Sequence, residues 1–166
     1  QLIHLLLEHL PARPESDWPV LATHLLSPIN QACGAVATAA LLSEFTALLT
    51  KPDLRRIFTT EALAEVDVSA DLPSLGGRRI HGTIDRLVID KAEVLAIDFK
   101  SKVAVPSEVA HCPEGILRQM AAYAEALQQI YPDHKITMAI LWTKTATLMS
   151  LPDRLLSDAL SRADVS

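Results

Sequence analysis

Aromatic residues make up only 4% of this 166-residue sequence, so its core has to be assembled mainly from Leu, Ala, Ile and Val. Two cysteines, Cys33 and Cys112, stand far apart and outside any CxxC pairing, which leaves neither a zinc framework nor a set of disulfides. A reducing, cytoplasmic setting is expected from that usage. Positive charge is scarce as well. Fifteen Lys and Arg stand against twenty Asp and Glu, a formal net charge of −5, whereas a domain that grips nucleic acid through bulk electrostatics is normally basic. A role on nucleic acid would therefore need local chemistry, or a partner that supplies the grip. No apolar run approaches the roughly 18 residues that cross a bilayer, and no basic-then-apolar leader precedes a cleavage site, so no membrane partner is expected. No GxxxxGK[ST] occurs, which leaves no ATP site in this stretch of chain.

What is present suffices for one ordinary domain over 1–166: 49% of the residues are hydrophobic, and ten prolines mark element boundaries. The chain enters on LIHLLLEHL from Gln1, without an initiator Met, and reads as a piece of something longer. Leu2, Ile3, Leu6, Leu7 and Leu10 fall at helical spacing and stop at Pro11. A loop follows, then a short helix over 19–26 and one or two helices over 28–49, with a break at 51–55. Alternation of Val66 and Val68 with Asp67 and Ser69 places a first strand near 64–70. PSLGG is a turn. RRIHGTIDRLVID and EVLAIDFKS then form a hairpin, Pro113 opens a long helix that Pro132 ends, and KITMAILWT and ATLMSLP give two more strands before a terminal helix or frayed tail.

The hairpin poses a chemical question. If it turns between Lys91 and Ala92, Asp85 falls directly opposite Asp98, with Cβ atoms roughly 5 Å apart on one face. Lys100 shares the Asp98 side of its strand, while Phe99 points the other way. Like charges this close repel unless a proton or a cation lies between them. Two carboxylates and a backbone carbonyl suit a hard divalent cation that keeps open positions for water and a phosphate oxygen, and a lysine beside them can neutralise charge on a phosphoryl group. The constellation suits phosphodiester hydrolysis. The bland alternative is a surface ion pair worth little, and Lys-Ala is not a favoured two-residue turn.

GTIDR (82–86), AIDFKS (96–101) and RQMAAY (118–123) resemble the motifs of the PD-(D/E)XK nuclease superfamily, in particular its RecB-like branch, in which an Asp precedes D-x-K and then Q-x-x-x-Y. Over essentially the whole chain the sequence looks like the C-terminal nuclease domain of AddA-type helicase-nuclease subunits, and IHLLLEHLP resembles the leading helix that brings a metal-binding histidine. The resemblance implies an α/β fold with a restriction-endonuclease-like core, a central mixed sheet flanked by helices, and an N-terminal helical segment. It implies Asp85, Asp98 and Lys100 as catalytic residues. The metal ligands would be His4, Asp85, Asp98 and the Phe99 carbonyl, with Mg²⁺ as the ion and Mn²⁺ as an alternative. Gln119 and Tyr123 would position substrate or Lys100, and Glu65 matches an acidic position of less defined role. The implied activity is exonucleolytic cutting of DNA single strands delivered by a helicase, beside an AddB-like partner subunit, in double-strand break repair and recombination. The rival expectations are a stand-alone RecB-like exonuclease and a silent nuclease-like docking module for DNA ends or proteins. Relatives with an iron-sulfur cluster need four cysteines, so none is expected here.

Spacing alone makes His4 a core histidine on an apolar helix, and the resemblance reverses that preference. His9, His24, His81, His111 and His134 stay structural. Arg86 and Arg118 could reach phosphates, although solvated or ion-paired roles are more ordinary for arginine. Trp142 reads as core, and Glu44 and Glu61 as helix surface.

Overall fold

The computed structural model describes residues 2–59, 61–101 and 104–163, and for residues 29–37 the backbone alone. The Cys33 side chain and the end of the tail, 164–166, lie outside the described residues. Four helices, α1 (Leu2–His9), α2 (Trp18–Thr50), α3 (Glu114–Ile130) and α4 (Asp153–Ala163), accompany five strands, β1 (Leu63–Leu72), β2 (Arg78–Ile89), β3 (Glu93–Lys100), β4 (Lys135–Trp142) and β5 (Thr147–Leu151). The strands form one mixed sheet in the order β1-β2-β3-β4-β5. Neighbours are antiparallel except β3 and β4, which run parallel because α3 carries the chain back between them.

Both faces of the central strands are covered, which explains why VLAIDF and ITMAILW read as nearly continuous apolar runs. Val94, Ala96, Met138, Ile140 and Trp142 pack with Leu117, Met120, Leu127, Leu156 and Ala159 of α3 and α4. The alternate residues Leu95, Ile97, Phe99, Ala139 and Leu141 pack with Ile3, Leu6 and Leu7 of α1 and Phe45 and Leu48 of α2. The α/β fold with a mixed sheet between helices is thus present. Trp142 is core, 1% exposed.

Several boundaries differ from the spacing. In place of a short helix over 19–26 and a break at Pro28, α2 runs 33 residues with Pro28 inside it. Pro28 removes a bond to the carbonyl of His24, but both residues are exposed, so water can take the freed carbonyl and the helix continues. The expected break at 51–55 is a 3₁₀ segment, Pro52–Phe58, which buries Leu54, Ile57 and Phe58 against the α1–α2 layer. Glu61 lies in a turn rather than on a helix. Glu44 is on α2, but its side chain is mostly covered and meets Lys144 at 2.6 Å, tying the helix to the β4–β5 turn. The tail forms α4.

The β2–β3 hairpin keeps the expected register, Arg86↔Ile97 through Ile89↔Val94. Asp90 makes the unfavoured Lys91–Ala92 turn workable. Its backbone N–H donates to the Glu93 carbonyl at 3.0 Å, and its Oδ1 accepts from the N–H groups of Ala92 (2.9 Å) and Glu93 (2.8 Å).

Candidate active site

The ladder between β2 and β3 stops at Arg86↔Ile97, while β3 stays paired to β4 through Lys100↔Trp142. Beyond that point the two strands part. A backbone N–H left open by a departing neighbour needs another acceptor, and the Asp85 side chain supplies it: the Phe99 N–H donates to Asp85 Oδ2 at 2.5 Å. The carboxylate of Asp85 therefore sits in the fork, one residue past the last pair, where the register brings it beside Asp98.

Across the fork, Lys100 Nζ lies 2.5 Å from Asp98 Oδ2. This is an ion pair whose direction leaves that buried oxygen without a true hydrogen bond. Asp98 is only 6% exposed, and burial raises its pKa despite the adjacent Lys100 ammonium. Asp85 is pushed up to about 6, first by burial and further by the charges of Asp98 and Glu65, against the pull of the Phe99 N–H. Two carboxylates held this way strain against each other's charge, the condition that a cation relieves.

From α1, His4 brings its Nδ1 to 3.7 Å from Asp85 Oδ1, and its ring meets Phe99 edge-on at 5.6 Å. Burial, followed by nearby positive charge including Lys100, lowers its pKa to about 4. The imidazole is therefore neutral at physiological pH, and its approach to Asp85 is not an ion pair but a lone-pair donor set next to a carboxylate. Glu65 falls where the β1–β2 ladder skips, between Ala64↔Arg86 and Val66↔Ile84, and has φ +50. A non-glycine residue held there costs on the order of 1–3 kcal/mol, and such strain gathers at functional sites. Burial and then the charge of Glu8 raise its pKa.

Asp85, Asp98, Lys100, His4 and Phe99 thus converge. Gln119 and Tyr123, expected to position substrate or Lys100, pair with each other. The Gln119 amide donates to the Tyr123 hydroxyl at 3.2 Å, and that hydroxyl lies against the backbone of Gly82, three residues before Asp85. These contacts fasten α3 to β2. Arg86 is 3% exposed, with its guanidinium donating to the carbonyls of Leu7 and Ala62, so a phosphate-reaching role is overturned. Arg118 pairs with Glu114 at 3.3 Å. The spacing missed Glu8, Gly82 and the anchoring by Arg86. For Gly82 a signal existed, since a glycine inside a strand often marks a close approach of another group.

Among the described residues, no three His, Cys, Asp or Glu side chains are gathered closely enough to hold a metal ion. Two carboxylates and a neutral imidazole are donor types that suit a divalent cation, although Asp98 Oδ2 is engaged by the Lys100 ammonium.

A mixed five-stranded sheet flanked by helices, with an acidic pair and a lysine where two strands part, defines a restriction-endonuclease-like class. The chain belongs to the PD-(D/E)XK nuclease superfamily, whose family model it matches over residues 1–159. Membership implies phosphodiester hydrolysis, typically with divalent metal ions. No curated protein matches the chain. A solved structure titled "Crystal structure of SSO0001" is similar at 16% identity and a TM-score of 0.39, over 96% of this chain and 73% of that one, a likeness too distant to bear on function. Among the described residues no helix is long and apolar enough to cross a membrane.

Proposed function

We propose that this chain is the Mg²⁺-dependent deoxyribonuclease module of an AddA-type helicase-nuclease, cutting DNA single strands exonucleolytically during double-strand break repair and recombination. The convergence of Asp85, Asp98, Lys100 and His4 at the β2–β3 fork carries this reading. Asp85, Asp98, His4 and the Phe99 carbonyl would hold the cation. When bound, it polarises the scissile phosphate and lowers the pKa of an attacking water. Asp98 fixes the Lys100 ammonium at the mouth of the fork, where it offsets charge gathering on the phosphoryl oxygens. His4, kept neutral by burial, presents a lone pair rather than a repelling charge. The acidic balance of the chain fits a module whose grip on DNA comes from a helicase and an AddB-like partner subunit in the cytoplasm.

Cleavage of an end-labelled single-stranded oligonucleotide with Mg²⁺ or Mn²⁺ tests it, using the parent chain beside Asp98→Ala and Lys100→Ala. Cutting should require the metal and fall by at least roughly 100-fold in each variant. If the parent chain cuts nothing even when joined to its helicase and partner subunit, the nuclease reading fails and a docking module replaces it.

A further inference from the structure

A helix of eight residues such as α1 is marginal by itself and depends on what holds its ends. The last four carbonyls of any helix lack partners within it. In α1 the Leu6 carbonyl is taken by the Leu10 N–H at 2.9 Å, and the Leu7 carbonyl by the Arg86 guanidinium. The same guanidinium reaches the Ala62 carbonyl at 3.5 Å and lies over the Phe58 ring, 5.4 Å from its centre. A cation at a helix C-terminus is favoured by the helix dipole. Around it stand the carboxylates of Glu65, Asp85 and Glu8, whose charges oppose the effect of burial on the arginine.

Burying an arginine this deeply, at 3% exposure and with its Nε lacking a partner, costs several kcal/mol before contacts offset it. A long apolar side chain would fill the same space without that cost. What the guanidinium adds is direction: its planar fork binds two carbonyls from different segments at once. Its neighbour in the chain is Asp85, and Leu7 lies three residues from His4, on the same face of α1. The strand segment that supplies the carboxylate therefore also grips the helix that supplies the imidazole.

We infer that Arg86 is a positioning residue that docks α1 on the sheet and thereby holds His4 at Asp85 and Phe99. This rests on the reading of His4 as a metal ligand and deepens it. Arg86 touches neither substrate nor metal; it acts through the backbone of α1.

The test compares the parent chain with His4→Ala, Arg86→Lys, Arg86→Met and the double variant His4→Ala/Arg86→Lys. Binding of Mn²⁺ alone is measured by calorimetry, and amide hydrogen exchange is followed in α1 and α3. Arg86→Lys keeps the charge but loses the fork, and should weaken Mn²⁺ binding roughly tenfold or more, as loss of a ligand-orienting partner does. Exchange should rise in α1 and stay unchanged in α3. The double variant should bind Mn²⁺ no more weakly than His4→Ala, because both changes remove one ligand. If His4→Ala weakens Mn²⁺ binding and both folded Arg86 variants leave it intact, the positioning role is refuted while the ligand reading stands. If His4→Ala itself changes nothing, the ligand reading falls and the inference with it. Loss of protection in α3 as well as α1 in both Arg86 variants would make Arg86 an anchor of the whole fold and overturn the local role.

Discussion

Gly82→Ala adds a single methyl group, and its consequence can be worked out from one contact. A Cβ at this position would fall 2.1 Å from the Tyr123 hydroxyl oxygen, 2.8 Å from Cζ and 2.9 Å from Cε1. Ordinary contact between such atoms begins at about 3.5 Å, so the overlap exceeds 1 Å. Tyr123 is 6% exposed and its hydroxyl accepts the Gln119 amide, so the ring has no free direction of escape. Either β2 moves away or the ring leaves its rotamer. Overpacking of this kind costs about 1–3 kcal/mol, against about 0.5–1 kcal/mol that alanine ordinarily gains over glycine in a strand. The expected net loss is about 1–2 kcal/mol, read as a lower urea midpoint at unchanged slope. Tyr123→Phe removes the atom at the worst overlap and leaves the two milder ones, so Gly82→Ala should cost about 1 kcal/mol less in that background. Cleavage should fall further than stability, because Asp85 lies three residues along the same strand and a shift near 1 Å can cost about 100-fold in rate. A Gly82→Ala protein as stable as its parent, or a cost identical in both backgrounds, would refute the reasoning.

Two further outcomes depend on pH. Asp85 has a folded pKa of about 6 against 3.8 unfolded, so its protonated form stabilises the fold fully below pH 3.8, and that contribution is lost as pH rises through 6. The loss is about 3 kcal/mol at about 1.4 kcal/mol per pH unit. Asp85→Asn escapes it and can still accept the Phe99 N–H, so in EDTA the variant should gain up to about 3 kcal/mol on the parent between pH 4 and pH 8 in denaturant titrations; a pH-independent difference would sink this account. Asp90 is the opposite case: the N–H groups of Ala92 and Glu93 hold its pKa below the usual carboxylate value, so its contribution is present above 3.8 and lost as pH falls through the folded value. Asp90→Ala should therefore destabilise the protein at neutral pH and make little difference near about pH 2, as thermal unfolding at the two pH values would reveal.

Much of the architecture was legible because two periodicities run through the chain without conflict. The α3 stripe of Met120, Tyr123 and Leu127 and the apolar runs of β3 and β4 mark their elements, and their doubly buried faces explain the absence of alternation. The hairpin register was legible too, although the property that secures it is the Asp90 side chain rather than the turn dipeptide. Pro28 misled, because a proline need not end a helix where the freed carbonyl can be hydrated, and exposure is not written in local sequence.

The site divides along the same line. Local sequence determined that Asp85, Asp98 and Lys100 share a hairpin, since strand alternation and register are short-range properties of the chain. Tertiary structure decided the rest: that β2 and β3 part just after Arg86↔Ile97, that Asp85 takes the abandoned Phe99 N–H, that α1 brings His4 to the fork, and that Arg86 faces the end of that helix instead of solvent. These facts depend on which distant segments pack together, and on which buried polar group each open donor or carbonyl can reach. Burial and unmet hydrogen bonds are properties of the whole assembly, so spacing along the chain could nominate these residues but could not say what each one holds.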